Sequence, residues 1–204
     1  MKKLEREFYN RDSVTIAKEL LGKYIIREIE GKKLIGRIVE TEAYRGAIDK
    51  AAHSYNNRRT SRNEIMYGMG GYAYVYMIYG MYYCMNVVVS EPEKAEAILI
   101  RAIEPVSGME EMAGNRYNKS LQELTKREIL GLTSGPGKLC RALKIDRSQN
   151  GEDLCGNSLY IASGEKETAF ETVTTTRINI DYAEEAVHFP WRFYIKDNPY
   201  VSKK

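Results

Sequence analysis

The segment YAYVYMIYGMYYCMN, residues 72–86, is the most informative stretch of this 204-residue chain. Tyrosine occupies every second position from Tyr72 to Tyr76, so three rings share one face of a predicted strand. Gly80 predicts a tight turn, after which the chain returns as a second strand through Val89. Seven of the seventeen residues from Tyr67 to Tyr83 are tyrosine, which is more aromatic surface than a small sheet core needs. The pattern indicates an antiparallel hairpin that carries a platform for flat ligands.

Turn and cap signals divide the rest of the chain into short elements. Asp12 and Ser13 are favourable N-caps for an amphipathic helix that ends at Gly22. Strands are predicted at residues 23–29, 34–44, 97–103 (ending before Pro105), 159–162, 172–180 and 191–195. Helices are predicted within residues 106–132 and from Pro136 onward. At this length we expect one domain covering residues 1–204.

Composition sets broad limits on the protein class. The formal net charge of +3 permits a nucleic-acid partner but does not by itself argue for one. Cys84, Cys140 and Cys155 are odd in number and widely spaced, which is typical of a reduced intracellular protein. The charged N-terminus lacks an apolar stretch of signal-peptide length, and no run is long enough to span a bilayer. We therefore expect a soluble cytoplasmic protein that does not bind membranes.

Two carboxylates lie in the strand predicted at residues 34–44. Glu40 and Glu42 point to the same face of an extended strand, so their side chains are neighbours. Spacing alone favours pairing of one or both with arginines at a sheet surface. The functional interpretation is a general base that activates water, and carboxylates at about this separation also serve glycoside hydrolysis. Either role requires only one of the two.

Tyr79 and Asn86 differ from their neighbours in the tyrosine hairpin. Most of the tyrosines are interpreted as packing residues, but Tyr79 precedes the turn at Gly80 and is expected to project from the sheet. An exposed ring there could fill the gap left by an extruded base. Asn86 is a costly residue for a sheet core unless its amide has partners, and that amide could read the edge of a base.

Cationic side chains occur in two groups. Arg58, Arg59 and Arg62 lie between the acidic strand and the tyrosine hairpin, and Lys138 and Arg141 are about one turn apart on the predicted helix. A charge run of this kind is often only a solvated loop, whereas a phosphate-binding role requires a nucleic-acid context. With that context, these five residues are the candidates for contacting the DNA backbone.

Several other site types are excluded or weakened. The run SGPGK at residues 134–138 is not a phosphate loop, because Leu139 stands where Ser or Thr would bind magnesium. His53 and His188 have no neighbouring ligands at zinc spacing, so neither a metal site nor a zinc deaminase is predicted. His53 remains a site candidate because it lies between the acidic strand and the arginines, and His188 is interpreted as structural.

Taken together, these residues resemble the alkyladenine (3-methyladenine) DNA glycosylase family of base-excision repair. The matching blocks follow the family order over nearly the whole chain and are residues 36–44, 51–54, 74–86, 99–105, 135–140 and 192–194. The resemblance implies an α/β fold of the α+β type, a single compact domain with an antiparallel β-sheet core and flanking helices. It also implies an enzyme that flips an alkylated purine from double-stranded DNA and hydrolyses its N-glycosidic bond without a metal or organic cofactor.

The resemblance assigns roles by matching position. It implies that Glu42 activates water and that Arg101 helps to hold it. The implied base-binding residues are Tyr44, His53 and Tyr76, which sandwich the base, Asn86, which disfavours guanine, and Ile178, in a strand that crosses the pocket. Tyr79 is the implied wedge. One departure is Asn179, where a glycine is common in the family, so the pocket shape there and the range of lesions remain open.

Three rival functions stay open from the residues alone. A carbohydrate glycosidase also uses paired acids and aromatic platforms. A non-catalytic damaged-DNA or RNA binding protein would stack bases without cutting. A glycosylase-lyase would need an amine nucleophile, and the matched pocket blocks contain no lysine. We expect 3-methyladenine and 7-methylguanine as substrates, with hypoxanthine less readily released, and a monomeric, nucleoid-associated enzyme.

Overall fold

One antiparallel sheet organises the computed structural model, which describes residues 1–165 and 169–203. These residues form nine strands: β1 (Lys2–Lys3), β2 (Tyr24–Ile29), β3 (Lys32–Tyr44), β4 (Ala73–Ile78), β5 (Tyr82–Val89), β6 (Glu96–Ser107), β7 (Leu159–Ser163), β8 (Thr172–Thr175) and β9 (Arg192–Ile195). They form five α-helices: α1 (Arg6–Tyr9), α2 (Ser13–Glu19), α3 (Met109–Tyr117), α4 (Lys126–Leu130) and α5 (Pro136–Ala142). Short 3-10 helices lie at Gly46–Ile48, Tyr55–Asn57, Glu64–Tyr67, Leu121–Glu123, Arg147–Gln149 and Glu184–His188.

Strand β3 is the centre of the sheet. The strand order is β1-β7-β2-β3-β6-β5-β4, and every pairing between described strands is antiparallel. The first half of β3 pairs with β2, and its second half pairs with β9, which in turn pairs with β8. Strand β6 follows β3 along most of its length on the other side. The predicted α+β fold with an antiparallel sheet core is confirmed.

Three irregularities interrupt the pairing of β3 with β6, and two of them lie beside Glu40. The register there is Ile38 with Ile103, Glu40 with Ala102, and Thr41 with Ile100. One extra residue, Val39, is therefore accommodated in β3, and one, Arg101, in β6. A bulge bends the strand and redirects the side chains around it. The bulge in β6 places Arg101 within hydrogen-bond distance of Glu40 and Glu42 in β3.

The two faces of the sheet have different surroundings. Helices α2 and α5 pack on one face and α3 packs on α5, and the core they enclose includes the fully buried residues Ile16, Leu20, Ile38, Met85, Ile98, Ile100 and Phe193. Because side chains alternate along a strand, the other face receives the intervening residues. Tyr74, Val88 and Ala97 form a smaller buried cluster there with Met66 and Tyr67. The candidate site residues of β3 to β6 lie on this second face.

Local sequence signals placed several elements correctly. The Asp12 side chain accepts a hydrogen bond from the Thr15 N–H at 2.9 Å and caps α2 as predicted. Pro136 is at the first turn of α5, where its missing N–H costs no hydrogen bond. The predicted turns between β2 and β3 and between β4 and β5 are also confirmed.

Two strand predictions were wrong at their ends. Strand β6 continues through Pro105 to Ser107. Strand β5 pairs with β6 only as far as Leu99, so the missing N–H of Pro105 removes no hydrogen bond from that pairing. The strand predicted for residues 172–180 ends at Thr175. Asn179, with a φ of 58°, has a left-handed conformation that is incompatible with a strand but is tolerated by asparagine.

No helix within residues 1–165 and 169–203 combines the length and the apolar character that a membrane crossing requires. The three cysteines carry free thiols, and burial raises the pKa of Cys84 to about 11. Burial likewise raises the pKa of Cys140 well above its ordinary value. Both thiols are therefore protonated packing groups.

We expect Phe193→Ala to lower the free energy of unfolding by about 3 to 5 kcal/mol, because it leaves a cavity in the core. Phe193 is fully buried in β9, between β3 and β8. Urea unfolding followed by circular dichroism measures the change. The matched control is Val106→Ala, at a half-exposed position in β6, which should stay within about 0.5 kcal/mol of the unmodified protein. Equal losses for the two variants would contradict the assignment of Phe193 to the core.

Candidate active site

Glu42 lies at the centre of the site, and its side chain is completely buried. Oε1 accepts a hydrogen bond from the Ile178 N–H at 2.8 Å. Oε2 accepts from the Tyr44 hydroxyl at 2.9 Å and from Arg101 Nη1 at 3.3 Å. Burial raises the pKa of Glu42, and the charge of Arg101 and the two hydrogen bonds only partly oppose it. A buried carboxylate with a raised pKa is a stronger base than an exposed one, as proton abstraction from water requires.

Glu40 has a different environment, although it lies on the same face of β3. Its Oε1 accepts hydrogen bonds from Arg192 Nε at 2.8 Å and Arg101 Nε at 3.2 Å, and its Oε2 accepts from the Ser202 N–H at 2.7 Å. Two guanidinium groups and a backbone amide therefore occupy both oxygens. Glu40 therefore anchors Arg101, which also donates a hydrogen bond from Nη1 to Glu42.

Three aromatic side chains form one wall beside this carboxylate pair. His53 Nδ1 is 2.8 Å from the Tyr74 hydroxyl, and the His53 and Tyr76 rings meet edge to face with centroids 4.7 Å apart. The Tyr74 and Tyr76 centroids are 5.1 Å apart. The His53 and Tyr76 rings are too close for a flat ligand to lie between them. A base that contacted Tyr44, His53 and Tyr76 would therefore lie between Tyr44 on one side and the His53–Tyr76 pair on the other. The rings, together with Asn86, line a cavity of about 20 Å³.

The His53 imidazole is neutral at physiological pH. His53 is an exposed residue, yet desolvation by the surrounding protein and the nearby charges of Arg62 and Arg58 lower its pKa to about 4. Burial and the neighbouring Glu42 carboxylate raise the pKa of Tyr44, whose hydroxyl therefore stays protonated and donates to Glu42. The aromatic wall thus carries no positive charge.

Asn86 and Ile178 enter the site in different ways. The Asn86 side chain is buried, and its Nδ2 donates to the backbone oxygen of its cross-strand neighbour Tyr74 at 3.1 Å. The amide has therefore the partner that its burial demands. Ile178, in the loop after β8, joins the site through its backbone N–H, which bonds Glu42.

Tyr79 projects from the tip of the β4–β5 hairpin, as predicted. Its side chain is 79% exposed, the highest value among the exposed large apolar residues. Tyr79 and Gly80 have φ values of 51° and 69°, which match a turn with two left-handed residues, closed by a 3.2 Å hydrogen bond from the Met81 N–H to the Ile78 oxygen. A bulky residue is uncommon in this conformation and carries backbone strain.

The predicted phosphate-binding arginines have unequal surroundings. The Arg62 guanidinium lies 4.9 Å from the Tyr76 centroid and donates to the Met77 oxygen at 3.2 Å. Arg58 lines a recess of about 310 Å³ that also borders His53 and Arg62. Arg59 is held by carboxylates, with 2.5 Å to Glu64 and 2.9 Å to Glu93. Arg59 would have to release these partners to bind a phosphate.

Lys138 and Arg141 are exposed on α5, which packs beside the β4–β5 hairpin. Arg141 Nε donates to the Asn115 backbone oxygen at 3.2 Å. Burial and the nearby Arg116 lower the pKa of Lys138 from its ordinary value. A second cation close by is a favourable setting for an anion, because a phosphate would relieve the repulsion.

Comparison with known proteins identifies the family. A family model described as methylpurine-DNA glycosylase matches residues 7–199. A protein of Desulfitobacterium hafniense is 60% identical over 204 residues, with both chains covered completely. A protein of Alkaliphilus oremlandii is 59% identical over 202 residues, covering 99% of this chain and 100% of its own, and one of Clostridium novyi is 55% identical over 204 residues, with full coverage of both. All three are provisionally named 3-methyladenine DNA glycosylase.

The chain belongs to the methylpurine-DNA glycosylase family. It is therefore a DNA N-glycosylase, a hydrolase of DNA repair. The resemblance inferred from the sequence motifs is confirmed, whereas the roles of individual residues in this glycosylase stay predictions.

Sequence reasoning missed several side chains that complete the site of the glycosylase. Ser202 and Arg192 hold Glu40, and Arg177 and Asp49 form a buried ion pair beside Tyr44. Arg192 began one of the matching sequence blocks, which was a usable signal. Asp49 had none, because nothing in its local sequence distinguishes it from an exposed loop carboxylate.

Two further features lie outside the site. A recess of about 990 Å³ is lined by Phe8, Phe170 and the ion-paired Arg11 and Glu19, on another part of the glycosylase. Within residues 1–165 and 169–203, no group of three or more His, Cys, Asp or Glu side chains could hold a metal ion.

We expect Glu42→Gln to stabilise the glycosylase near neutral pH. Because the pKa of Glu42 is raised in the folded state, the native protein binds more protons than the unfolded chain between the two pKa values, and its stability falls as the pH rises through that window. Gln removes this penalty, so the gain should shrink towards acidic pH. Thermal unfolding at several pH values measures it.

The matched control is Glu40→Gln. It leaves the buried Arg192 guanidinium without its carboxylate and Arg101 with Glu42 alone, and it should destabilise the glycosylase by about 3 to 5 kcal/mol. Equal destabilisation by the two substitutions would contradict the distinction between the two carboxylates.

Proposed function

We propose that this glycosylase flips alkylated purines, chiefly 3-methyladenine and 7-methylguanine, out of duplex DNA and hydrolyses the N-glycosidic bond with a water that Glu42 activates. The observation that carries the proposal is the buried Glu42 carboxylate, oriented by the Ile178 N–H, Tyr44 and Arg101 beside an aromatic wall. The names of the relatives support 3-methyladenine as a substrate.

The proposed reaction needs one base and no nucleophilic side chain. As the bond between C1′ and the purine nitrogen breaks, its electron pair leaves with the base and the sugar acquires oxocarbenium character. The oxygen of a water then bonds to C1′ while Glu42 accepts its proton. The negative charge of Glu42 also stabilises the cationic sugar. Arg101 holds the carboxylate through Nη1, and in this proposal it also helps to orient the water.

Selectivity for alkylated purines follows from charge. Alkylation at N3 or N7 makes the purine cationic, which strengthens its attraction to aromatic faces by roughly 0.5 to 2 kcal/mol and makes it a better leaving group. The neutral His53 allows such a cation to approach, whereas an imidazolium would repel it. Hypoxanthine is neutral and would need protonation, so we place it below the alkylated purines as a substrate. Asn86 is the proposed discriminator against the exocyclic amine of guanine.

The base pocket must open when DNA binds. Its volume of about 20 Å³ is close to that of one water molecule and far below that of a purine. We propose that Tyr44 and the His53–Tyr76 pair separate to admit the base. The larger recess beside His53, about 310 Å³, gives the His53 ring room to move.

The hairpin tip and the arginines supply the DNA contacts in this proposal. Tyr79 would occupy the space that the flipped base leaves, which lowers the cost of unstacking. Arg58 and Arg62, next to the pocket, would bind phosphates near the flipped nucleotide, and Arg59, Lys138 and Arg141 would bind phosphates further away.

The protonated amine of Lys50 favours a hydrolytic mechanism without lyase activity. This lysine lines the recess beside His53, and its Nζ bonds Glu184 at 2.6 Å and Glu185 at 2.8 Å. These hydrogen bonds raise the pKa of Lys50, so the amine stays protonated. A protonated amine cannot form a Schiff base.

We expect Glu42→Gln to reduce base release by about 10²- to 10⁴-fold, because it removes the general base. The measurement is release of free 3-methyladenine and 7-methylguanine from methylated duplex DNA, followed by alkali cleavage at the abasic site. Binding of the variant to the same DNA should persist. Release by neither protein would support the binding-only alternative, and equal release by both would move the base assignment to Glu40.

We expect Tyr79→Ala to lower the single-turnover rate of base release by about 10- to 100-fold, the loss of one base-stacking contact. The free energy of unfolding should stay within about 0.5 kcal/mol, because Tyr79 is exposed and alanine keeps the Cβ atom that strains this backbone conformation. The control is Leu130→Ala, an exposed apolar residue on α4, which should change neither quantity. An unchanged rate for Tyr79→Ala would remove the wedge role.

A further inference from the structure

A buried ion pair lies behind the wall that Tyr44 forms. Arg177 and Asp49 have side chains with no solvent exposure, and they meet through two parallel bonds, Nη1 to Oδ2 at 2.5 Å and Nη2 to Oδ1 at 2.8 Å. Asp49 also accepts hydrogen bonds from the backbone N–H groups of Arg45 at 3.1 Å and Ala51 at 3.0 Å. This fork geometry fixes the position and the plane of the guanidinium.

The same guanidinium contacts the end of strand β3. Nη1 donates to the Ala43 oxygen at 3.0 Å, between the two β3 residues that form the site. Its central carbon lies 4.7 Å from the Tyr44 ring centroid and 5.1 Å from the Trp191 centroid. Nη2 donates to the Ala186 oxygen at 3.3 Å. Arg177 therefore links β3, the Tyr44 ring and the 3-10 helix Glu184–His188.

The residue after Arg177 carries the amide that orients Glu42. The Ile178 N–H belongs to the peptide group that joins Arg177 to Ile178, and it lies 2.8 Å from Glu42 Oε1. Residues 176–180 are not part of the sheet, so no strand pairing holds this amide in place. The buried side chain of Arg177, bound to Asp49, fixes the residue that precedes this amide.

We propose that Arg177, clamped by Asp49, is a positioning residue of the catalytic site, which fixes the Ile178 amide against Glu42 and supports the Tyr44 ring. This inference rests on the proposed function, because it assigns the role through Glu42 and Tyr44. An ion pair that served stability alone would gain little from such geometry, since well-packed apolar side chains stabilise a core equally well. The side chain of Arg177 instead contacts two consecutive residues next to Glu42, Ala43 and Tyr44, and its own peptide group carries the amide that bonds Glu42.

The test compares Arg177→Lys with Arg6→Lys. Arg6 has a matching set of contacts away from the site: Asp153 at 2.6 Å, the Gly70 oxygen at 2.9 Å and the Tyr72 ring centroid at 4.6 Å. Lysine keeps the charge at both positions but cannot form the fork or lie flat on a ring. Asp49→Asn, which weakens the same fork from the other side, is the second variant should Arg177→Lys fail to fold.

The first readout needs no enzymatic activity. We expect Arg177→Lys to raise the pKa of Glu42 in the free protein, followed by carboxyl-carbon NMR, because the Ile178 hydrogen bond that lowers this pKa is loosened. The charged and titratable groups that face Glu42 are unchanged in the variant: Arg101, Tyr44, Glu40, Tyr182, Cys84 and Arg192. A shift therefore reports on the hydrogen bonds from the Ile178 N–H and the Tyr44 hydroxyl, the two contacts that the proposal assigns to positioning by Arg177. Arg6→Lys should give no shift.

The second readout is kinetic. We expect Arg177→Lys to reduce the single-turnover rate of 3-methyladenine release by about 10- to 100-fold, with the acid limb of its pH profile moved upward and DNA affinity within about twofold of the unmodified protein. An unmoved Glu42 pKa in a folded variant, or an unchanged rate, would overturn the positioning role. No release by the unmodified protein would overturn the proposed function instead, and the NMR titration would still decide whether Arg177 positions Glu42.

Discussion

The candidate site depends on the hydrogen bonds that the buried Arg101 guanidinium donates to Glu40 and Glu42. This guanidinium joins two carboxylates that would repel each other without it, and it is delivered to them by a bulge in β6. Buried charges are costly unless each has partners with good geometry. Glu40 has these partners in full, whereas Glu42 has enough to be held in place but not enough to return its pKa to the ordinary range. Each carboxylate accepts three hydrogen bonds, but two of the donors at Glu40 are guanidinium groups and only one is at Glu42, so the two groups differ in the charge of their donors.

Strand β3 connects this chemistry to the stability of the fold. Its inward residues, among them Ile38, Val39 and Ala43, belong to the helix-packed core, and its outward residues carry the carboxylates and the Tyr44 ring. The Thr41 hydroxyl adds a link by donating to the Ala17 oxygen of α2 at 2.8 Å. A strand that is held on both edges and one face cannot shift without disturbing the core, so the carboxylates are pre-organised before DNA arrives.

The sequence predicted those parts of the site that depend on local pattern. The shared face of Glu40 and Glu42 follows from the period of a strand, and the exposure of Tyr79 follows from its place before Gly80. The different surroundings of Glu40 and Glu42 did not follow from the residues, because all their donors except Tyr44 lie 59 to 162 positions away in the chain. The loop at residues 176–180 was also missed, because the apolar and β-branched pattern there predicts a strand, while the buried Arg177 and left-handed Asn179 impose another path. Tertiary contacts decided both cases.

The electrostatics of the pocket are asymmetric in a way that suits a cationic base. Desolvation by the surrounding protein and the charges of Arg62 and Arg58 keep His53 neutral, and Tyr44 stays protonated, so the rings themselves carry no charge, although Arg62 lies 4.9 Å from the Tyr76 centroid. The carboxylate next to these rings is Glu42, which bonds the Tyr44 hydroxyl and shares the Arg101 guanidinium with Glu40. In the proposed reaction, a cationic purine would gain both from the ring faces and from the carboxylate, and would lose both gains when it departs as a neutral base. Such a pocket would release the proposed product readily, since the attraction disappears with the charge when the glycosidic bond breaks.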